Sequence, residues 1–389
     1  MAAVTAAAAD RAVVVRAAET RAQRPSGAVS CGRRTPLKFA SHACLSVLLA
    51  LLCSCTNAAR PPRLQRLPFT YEEGPSGNYN SGVRAILQDS SGAYWFGSHF
   101  EGVCRFDGER FQCFTEADGL SNNQVRSIQE DARGVVWFDT GVGISCFAGG
   151  AITSPTARRY DATSAWKLEA YDLWFKGNEA HGFNQMELEA GVYRSDGDAF
   201  SYLTFPLPRD RAVDDGYSVT GICRGKGGRV WIATYGAVFG FDGSTVSTID
   251  GRRMGLRKGD GEPHVRCVFE DSRGRLWIGN NGAGVIVIDG SRTARLSELP
   301  GAGADAGGTV APSLLRVFSI GEDRDGGIWI GTIGGGAWRY DGRTLRQFGE
   351  KDGLTTKDVV SIYRDRSGDL WVGGEGVFRF NGTGFERMY

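Results

Sequence analysis

Three histidines, His99, His181 and His264, each stand close to an acidic residue, Glu101, Glu179 and Glu262 respectively. Imidazole titrates near neutral pH and is a common metal ligand, so three rings brought together would suit a metal ion or acid–base chemistry. Four arginines, Arg84, Arg126, Arg266 and Arg316, occupy positions that read as equivalent in a repeating strand pattern. Converging guanidinium groups would suit a carboxylate, a sulfate or a uronic acid. Asn280, at the end of a neighbouring strand, joins this set as a candidate ligand contact. Plainer readings stand beside these: exposed loop histidines, and arginines paired with acidic or backbone groups between sheets. No cysteine pair has metal-binding spacing, and Asp-Gly pairs read as hairpin turns rather than calcium loops. No catalytic residue, metal or cofactor is therefore expected.

The elements that must position these residues are set by a repeat. Seven tryptophans head equivalent segments: Trp95, Trp137, Trp174, Trp231, Trp277, Trp329 and Trp371. A glycine stands three residues before six of them, the third unit having Tyr171 instead, and Asp89, Asp131, Asp271, Asp323 and Asp365 stand six before. A second turn follows in each unit, as at Asp107-Gly108, Asp242-Gly243 and Asn381-Gly382. Between these turns lie four short apolar-alternating runs, as in Val83–Gln88 and Val125–Glu130 for the first of them. A four-stranded sheet this small cannot bury both faces, and stacking copies radially does so. The chain reads as all-β, a seven-bladed β-propeller of four-stranded antiparallel blades, with each Trp filling the gap between neighbouring sheets. Its 56 Gly, 9 Trp and 21 Phe fit that reading. Leu67–Tyr71 resembles an outer strand without its sheet, while Gly384–Tyr389 reads as the last blade's own outer strand, and either could seal the ring.

In such a blade the Asp-x-x-Gly turn before the Trp and the Asp-Gly-type turn after it lie on one face, while the turn between the second and third strands and the inter-blade connections lie on the other. All length variation falls in the latter class. From Trp to the Gly of the second turn takes 11 to 13 residues in six units and 23 in the third. A further insertion spans about Ser291–Pro312, with smaller ones near Pro206–Gly216 and Gly251–Pro263. Function in repeat proteins tends to live on the face that accepts insertions. All three histidines fall there. The innermost strands also start there, which would ring the channel mouth with Arg84, Arg126, Arg266 and Arg316.

The pattern Val125-Arg126-Ser127-Ile128 through Trp137, the stretch Gly321–Gly342, and Lys351-Asp352-Gly353-Leu354 through Trp371 resemble the two-component regulator propeller repeat. The resemblance covers about residues 65–389. It implies the sensing portion of a bacterial hybrid histidine kinase, of a kind implicated in recognising glycans or related signals. No kinase or receiver module follows the last strand, so sensing or binding is expected rather than autonomous signalling.

The first residues have a different character. Residues 1–36 form an Ala- and Arg-rich extension, and residues 37–55 read as an export signal, an apolar run Cys44–Leu52 ending in Leu52-Cys53-Ser54-Cys55. That ending resembles a lipobox, with Cys55 as the lipidation site. Residues 56–64 would be a linker and residues 65–389 the propeller. The expected location is the periplasm or cell surface, on an outer-membrane lipid anchor and with no membrane-spanning segment. Cys104 and Cys113 flank the first Asp-Gly turn and would face each other, so a disulfide or two buried thiols both fit.

A formal net charge of +1 gives no reason to expect nucleic acid as a partner. The function expected is a non-catalytic, exported ligand-binding or sensor propeller for a glycan or small anionic metabolite, acting with a separate signalling or envelope protein. The alternatives are a propeller lyase using His264 or His181 as base, or a protein–protein scaffold. The fold hosts all three.

Overall fold

The computed structural model describes residues 82–155, 166–176, 189–197, 199–208, 215–302 and 311–388. These residues form seven antiparallel sheets, each built from strands consecutive in the chain. Six sheets have four strands. The third has three among the described residues, Leu173–Phe175, Gly191–Ser195 and Phe200–Thr204. Blade one shows the plan: strand A is Val83–Gln88, B is Tyr94–Ser98, C is Val103–Phe106 and D is Phe111–Phe114. The chain is a seven-bladed propeller, and the strands A pack against one another around its axis.

The Asp-x-x-Gly-x-x-Trp signature does more than turn the chain. In blade one, Asp89 Oδ1 accepts the backbone N–H groups of Ser91 and Ala93, while Oδ2 accepts Trp95 Nε1–H at 2.8 Å. The same carboxylate-to-indole bond recurs at Asp131–Trp137, Asp271–Trp277, Asp323–Trp329 and Asp365–Trp371. One carboxylate thus ties the A–B turn to the aromatic ring that packs against the next blade. Blade four has Gly225 at the Asp position, and Glu270 of blade five takes the Trp231 indole instead. Blade three has no such Asp, and Trp174 Nε1 is buried without a partner among the described residues.

Trp95 packs with Ala85 and Val103 of its own blade and with Val125, Ile128 and Phe138 of the next. The other blade interfaces repeat this arrangement. The ring closes by the same lateral packing. Blade seven takes its own strand D from Phe385–Arg387, so among the described residues its four strands are consecutive in the chain. Trp371 and Val377 pack with Val83, Ile86 and Phe96. Ser361 Oγ donates to Val83 O, and Tyr94 O–H donates to Asp365. Leu67–Tyr71, the other candidate for closing the ring, lies outside the described residues, as do Cys55 and the whole export segment.

Cys104 and Cys113 stand directly opposite in strands C and D of blade one and form a disulfide. Cys146, Cys223 and Cys267 are free thiols. Among the described residues no helix is long and apolar enough to cross a membrane.

Candidate functional site

A single backbone device builds the centre of the loop-rich face. In five blades the pairing of strand A with strand B skips the second residue of strand A. Val83 pairs with Ser98 and Ala85 with Gly97, leaving Arg84 unpaired, and the same shift occurs at Arg126, Thr220, Arg266 and Phe318. A β-bulge of this kind re-aims one side chain. All five bulge residues line the mouth of the central channel, together with Val360 of blade seven. Each of the five stands eleven residues before its Trp.

Arg316 therefore does not occupy the equivalent position. Strand A of blade six is Val317–Glu322, Phe318 holds the bulge, and Arg316 caps the preceding 3₁₀ turn with its side chain exposed. Lys176, two residues after Trp174, completes the cationic set with Arg84, Arg126 and Arg266. The mouth has a volume of about 270 Å³ and leads into a channel of about 400 Å³.

The ring is uneven, and the unevenness is informative. On one arc, Arg84 Nη1 donates to His99 Nδ1 at 2.6 Å, and Gln124 Nε2 lies 3.3 Å from the same nitrogen. Gln124 Oε1 accepts both Nε and Nη2 of Arg126, at 2.9 and 2.6 Å. His99 Nδ1 must be unprotonated to accept from a guanidinium. Burial, followed by the nearby charges of Arg84 and Arg126, pushes the His99 pKa down to about 3. Behind this arc, the buried carboxyl of Asp139 accepts the Lys176 backbone N–H at 2.9 Å, and burial raises its pKa despite the cations beside it.

The opposite arc is built differently. Arg266 Nη1 donates to Tyr235 O–H at 2.9 Å, and its guanidinium lies 5.3 Å from the Tyr235 ring centre and 4.7 Å from that of Phe318. Its Nε is buried and has no hydrogen-bond partner among the described residues, and neither has the hydroxyl of neighbouring Thr220. Both atoms are themselves covered by the chain, although the residues that carry them line the mouth. Such a mouth can hold an oxyanion between aromatic walls.

His264 lies on the exposed rim beside this arc, its ring centre 5.1 Å from that of Tyr235 in an edge-on arrangement, and the charge of Arg266 adds to burial in lowering its pKa. Asn280 is buried and its Oδ1 accepts the His264 backbone N–H at 2.9 Å, so it shapes the rim from behind. His181 lies outside the described residues. The structure therefore brings Arg84, His99, Arg126 and Arg266 together, sets His264 and Asn280 at the margin, and leaves Arg316 away from the mouth. Among the described residues no three His, Cys, Asp or Glu side chains form a metal-holding group. Sequence reasoning missed Lys176, Gln124 and Phe318. Lys176 had a signal, because the position two after Trp is Gly in four blades.

Residues 119–141, 259–282, 312–334 and 353–376 match the model of the two-component regulator propeller. Four of the repeats are thus of that type. No curated protein sequence matches it. Among solved structures, it superposes with a TM-score of 0.55 and 18% identity on the extracellular domain of a protein described as a hybrid two-component system from B. thetaiotaomicron, covering 81% of this chain and 39% of that one. It superposes with a TM-score of 0.58 and 17% identity on PorZ of Porphyromonas gingivalis, described as an essential bacterial surface component of the type-IX secretion system, covering 82% of this chain and 48% of that one. The chain therefore spans less than half of either structure, and at these identities the likeness establishes the fold.

Proposed function

We propose that this propeller is an exported, non-catalytic binding or sensor module whose channel mouth takes an anionic ligand, a glycan acid or a small anionic metabolite. The observation that carries the reading is the convergence of Arg84, Arg126, Lys176 and Arg266 on one opening, three of them placed there by the same β-bulge. Repeat irregularity supports it. Blades four, six and seven place Thr220, Phe318 and Val360 at the corresponding position, so the cations are specific choices and not demanded by the fold. Binding fits better than acid–base catalysis because His99 is a weak base in this setting, its proton site occupied by the Arg84 N–H. Export is supported by the apolar segment ending at Cys55, and by the extracellular and surface settings named for the two related structures. Cys55 lipidation would anchor the protein, and a separate envelope or signalling protein would read the bound state.

The test is saturable thermal stabilisation of the full chain by uronic acids and sulfated sugars, compared with the Arg84→Gln/Arg126→Gln/Arg266→Gln triple variant. The triple variant should keep its fold and lose the stabilisation. Retained stabilisation in a folded triple variant would remove this mouth as the site.

A further inference from the structure

Blade three meets the central channel differently from the others. In the other six blades the signature Trp of strand B pairs with the strand A residue eight positions before it, as Trp95 does with Leu87 and Trp277 with Phe269. At Trp174 the same backbone groups go to a side chain. Gln129 Nε2 donates to Trp174 O at 2.8 Å, and the Trp174 N–H donates to Gln129 Oε1 at 3.4 Å. Two residues on, the Lys176 N–H donates to Asp139 Oδ2 at 2.9 Å, and two residues back Arg224 Nη2 donates to Asp172 O. Alternate residues of a strand turn their N–H and C=O groups to the same side. Side chains from blades two and four therefore cap the inner edge of Leu173–Phe175 at the positions where the other blades pair a strand. Gln129, Trp174, Lys176 and Arg224 all line the channel.

The central cap is the informative one. Gln129 is the one Gln at its repeat position, which holds apolar or small residues such as Leu87, Cys223 and Phe269 elsewhere. A carboxamide carries the same donor and acceptor as a peptide bond, so an edge satisfied by the one is satisfied by the other. The way in is the mouth, which shares Arg84, Arg126, Lys176 and Arg266 with the channel. We infer that the inner edge of blade three binds peptide: an extended acidic peptide enters through the mouth and pairs its main chain with Trp174, displacing the Gln129 carboxamide. The acidic character rests on the anion-binding reading above, and the main-chain pairing is independent of it.

The probe is a synthetic pool of octapeptides in which Glu alternates with a degenerate apolar residue, incubated with the full chain and read by mass spectrometry of the captured fraction. A second pool carries an N-methyl group on every amide, which keeps the charges and removes the main-chain donors. The first pool is expected to be enriched and the second not. Gln129→Ala is expected to tighten binding of the best captured peptide by roughly fivefold or more, because two hydrogen bonds no longer have to be displaced. Equal enrichment of both pools would overturn the strand pairing and leave an anion site standing. Enrichment of neither pool, by the natural chain or by Gln129→Ala, would overturn the inference, and stabilisation by sulfated sugars in the same preparation then tells whether the anion-binding reading survives it. Weaker peptide binding in folded Gln129→Ala would overturn it as well, since the carboxamide would then support the ligand and not stand in its place. If Gln129→Ala fails to fold, the comparison of the two pools on the natural chain decides.

Discussion

Replacing Arg266 with Met separates a binding residue from a structural one by the sign and size of two effects. The substitution removes a charged hydrogen bond to Tyr235 at 2.9 Å, worth about 1.5–3 kcal/mol, and two ring contacts at 5.3 and 4.7 Å, worth about 0.5–1 kcal/mol each near a surface. It also removes a buried unpaired Nε donor, which costs the free protein about 1–3 kcal/mol, and one of four like charges at the mouth. The Met side chain keeps the apolar stem between the two rings and adds sulfur–aromatic contact of about 0.3–1.5 kcal/mol. These terms nearly cancel, so urea unfolding should show a change within about 1.5 kcal/mol of zero. Anion binding should suffer far more, because one charge-assisted contact of about 1.5–3 kcal/mol corresponds to roughly 10- to 150-fold in affinity. The assay is the difference in unfolding midpoint between sulfate and chloride at equal ionic strength. Exposed Arg343→Met serves as the control for the general stabilising effect of sulfate on any fold. The sulfate increment should shrink in Arg266→Met and stay unchanged in Arg343→Met. A loss above 3 kcal/mol with the sulfate increment intact would refute the reasoning and make Arg266 a packing residue.

Three other outcomes follow from the same structure. At Gly373 an added Cβ would lie 2.5 Å from the Val83 backbone oxygen, at the interface that closes the ring. Gly373→Ala should therefore cost about 1–3 kcal/mol in urea unfolding, although Ala233 is tolerated at the same position of blade four; an unchanged midpoint would contradict tight closure there. The Cys104–Cys113 bond closes a short loop, with a sequence separation of 9, so Cys104→Ala/Cys113→Ala should lose about 2–3 kcal/mol relative to the oxidised protein. Equal stability of oxidised and reduced protein would argue that the hairpin needs no staple. His99 has a folded pKa of about 3, below its unfolded value, so its contribution to stability is complete above pH 6.5 and is lost as pH falls from 6.5 toward 3. Water at the rim reduces this below the roughly 1.4 kcal/mol per pH unit that one fully linked proton gives. His99→Gln should flatten the acid limb of the stability profile, and a bound anion should raise the His99 pKa in an NMR titration.

Most of the fold was legible because its signals are local and repeated. Asp and Gly at fixed distances before Trp specify a turn, a hydrogen bond and a packing face at once, and five complete copies reinforce one another. The pairing of Cys104 with Cys113 was readable as an alternative because a four-residue loop, Asp107-Gly108-Glu109-Arg110, fixes which residues face each other. Arg316 was misplaced for a physical reason. A slip of two residues along a strand keeps side chains on the same face, so apolar alternation around Leu315-Arg316-Val317-Phe318 cannot tell one register from the other. Distance to Trp can: Arg84, Arg126 and Arg266 stand eleven residues before theirs, and Arg316 stands thirteen before Trp329. Lys176 went unnoticed because its cation enters the mouth from strand B, while the search followed strand A. That Tyr235 and Phe318 set their rings against one guanidinium shows only in the fold, through the loop and the bulge that present them. Gln124 is an ordinary loop residue until folding sets it between His99 and Arg126.

The most direct test of an anion site at this mouth is anomalous diffraction from crystals of the full chain equilibrated with selenate. The account predicts a selenium peak at the mouth among the side chains of Arg84, Arg126, Lys176 and Arg266, lost in Arg266→Met. Selenate bound at other surface positions with none at the mouth would contradict it.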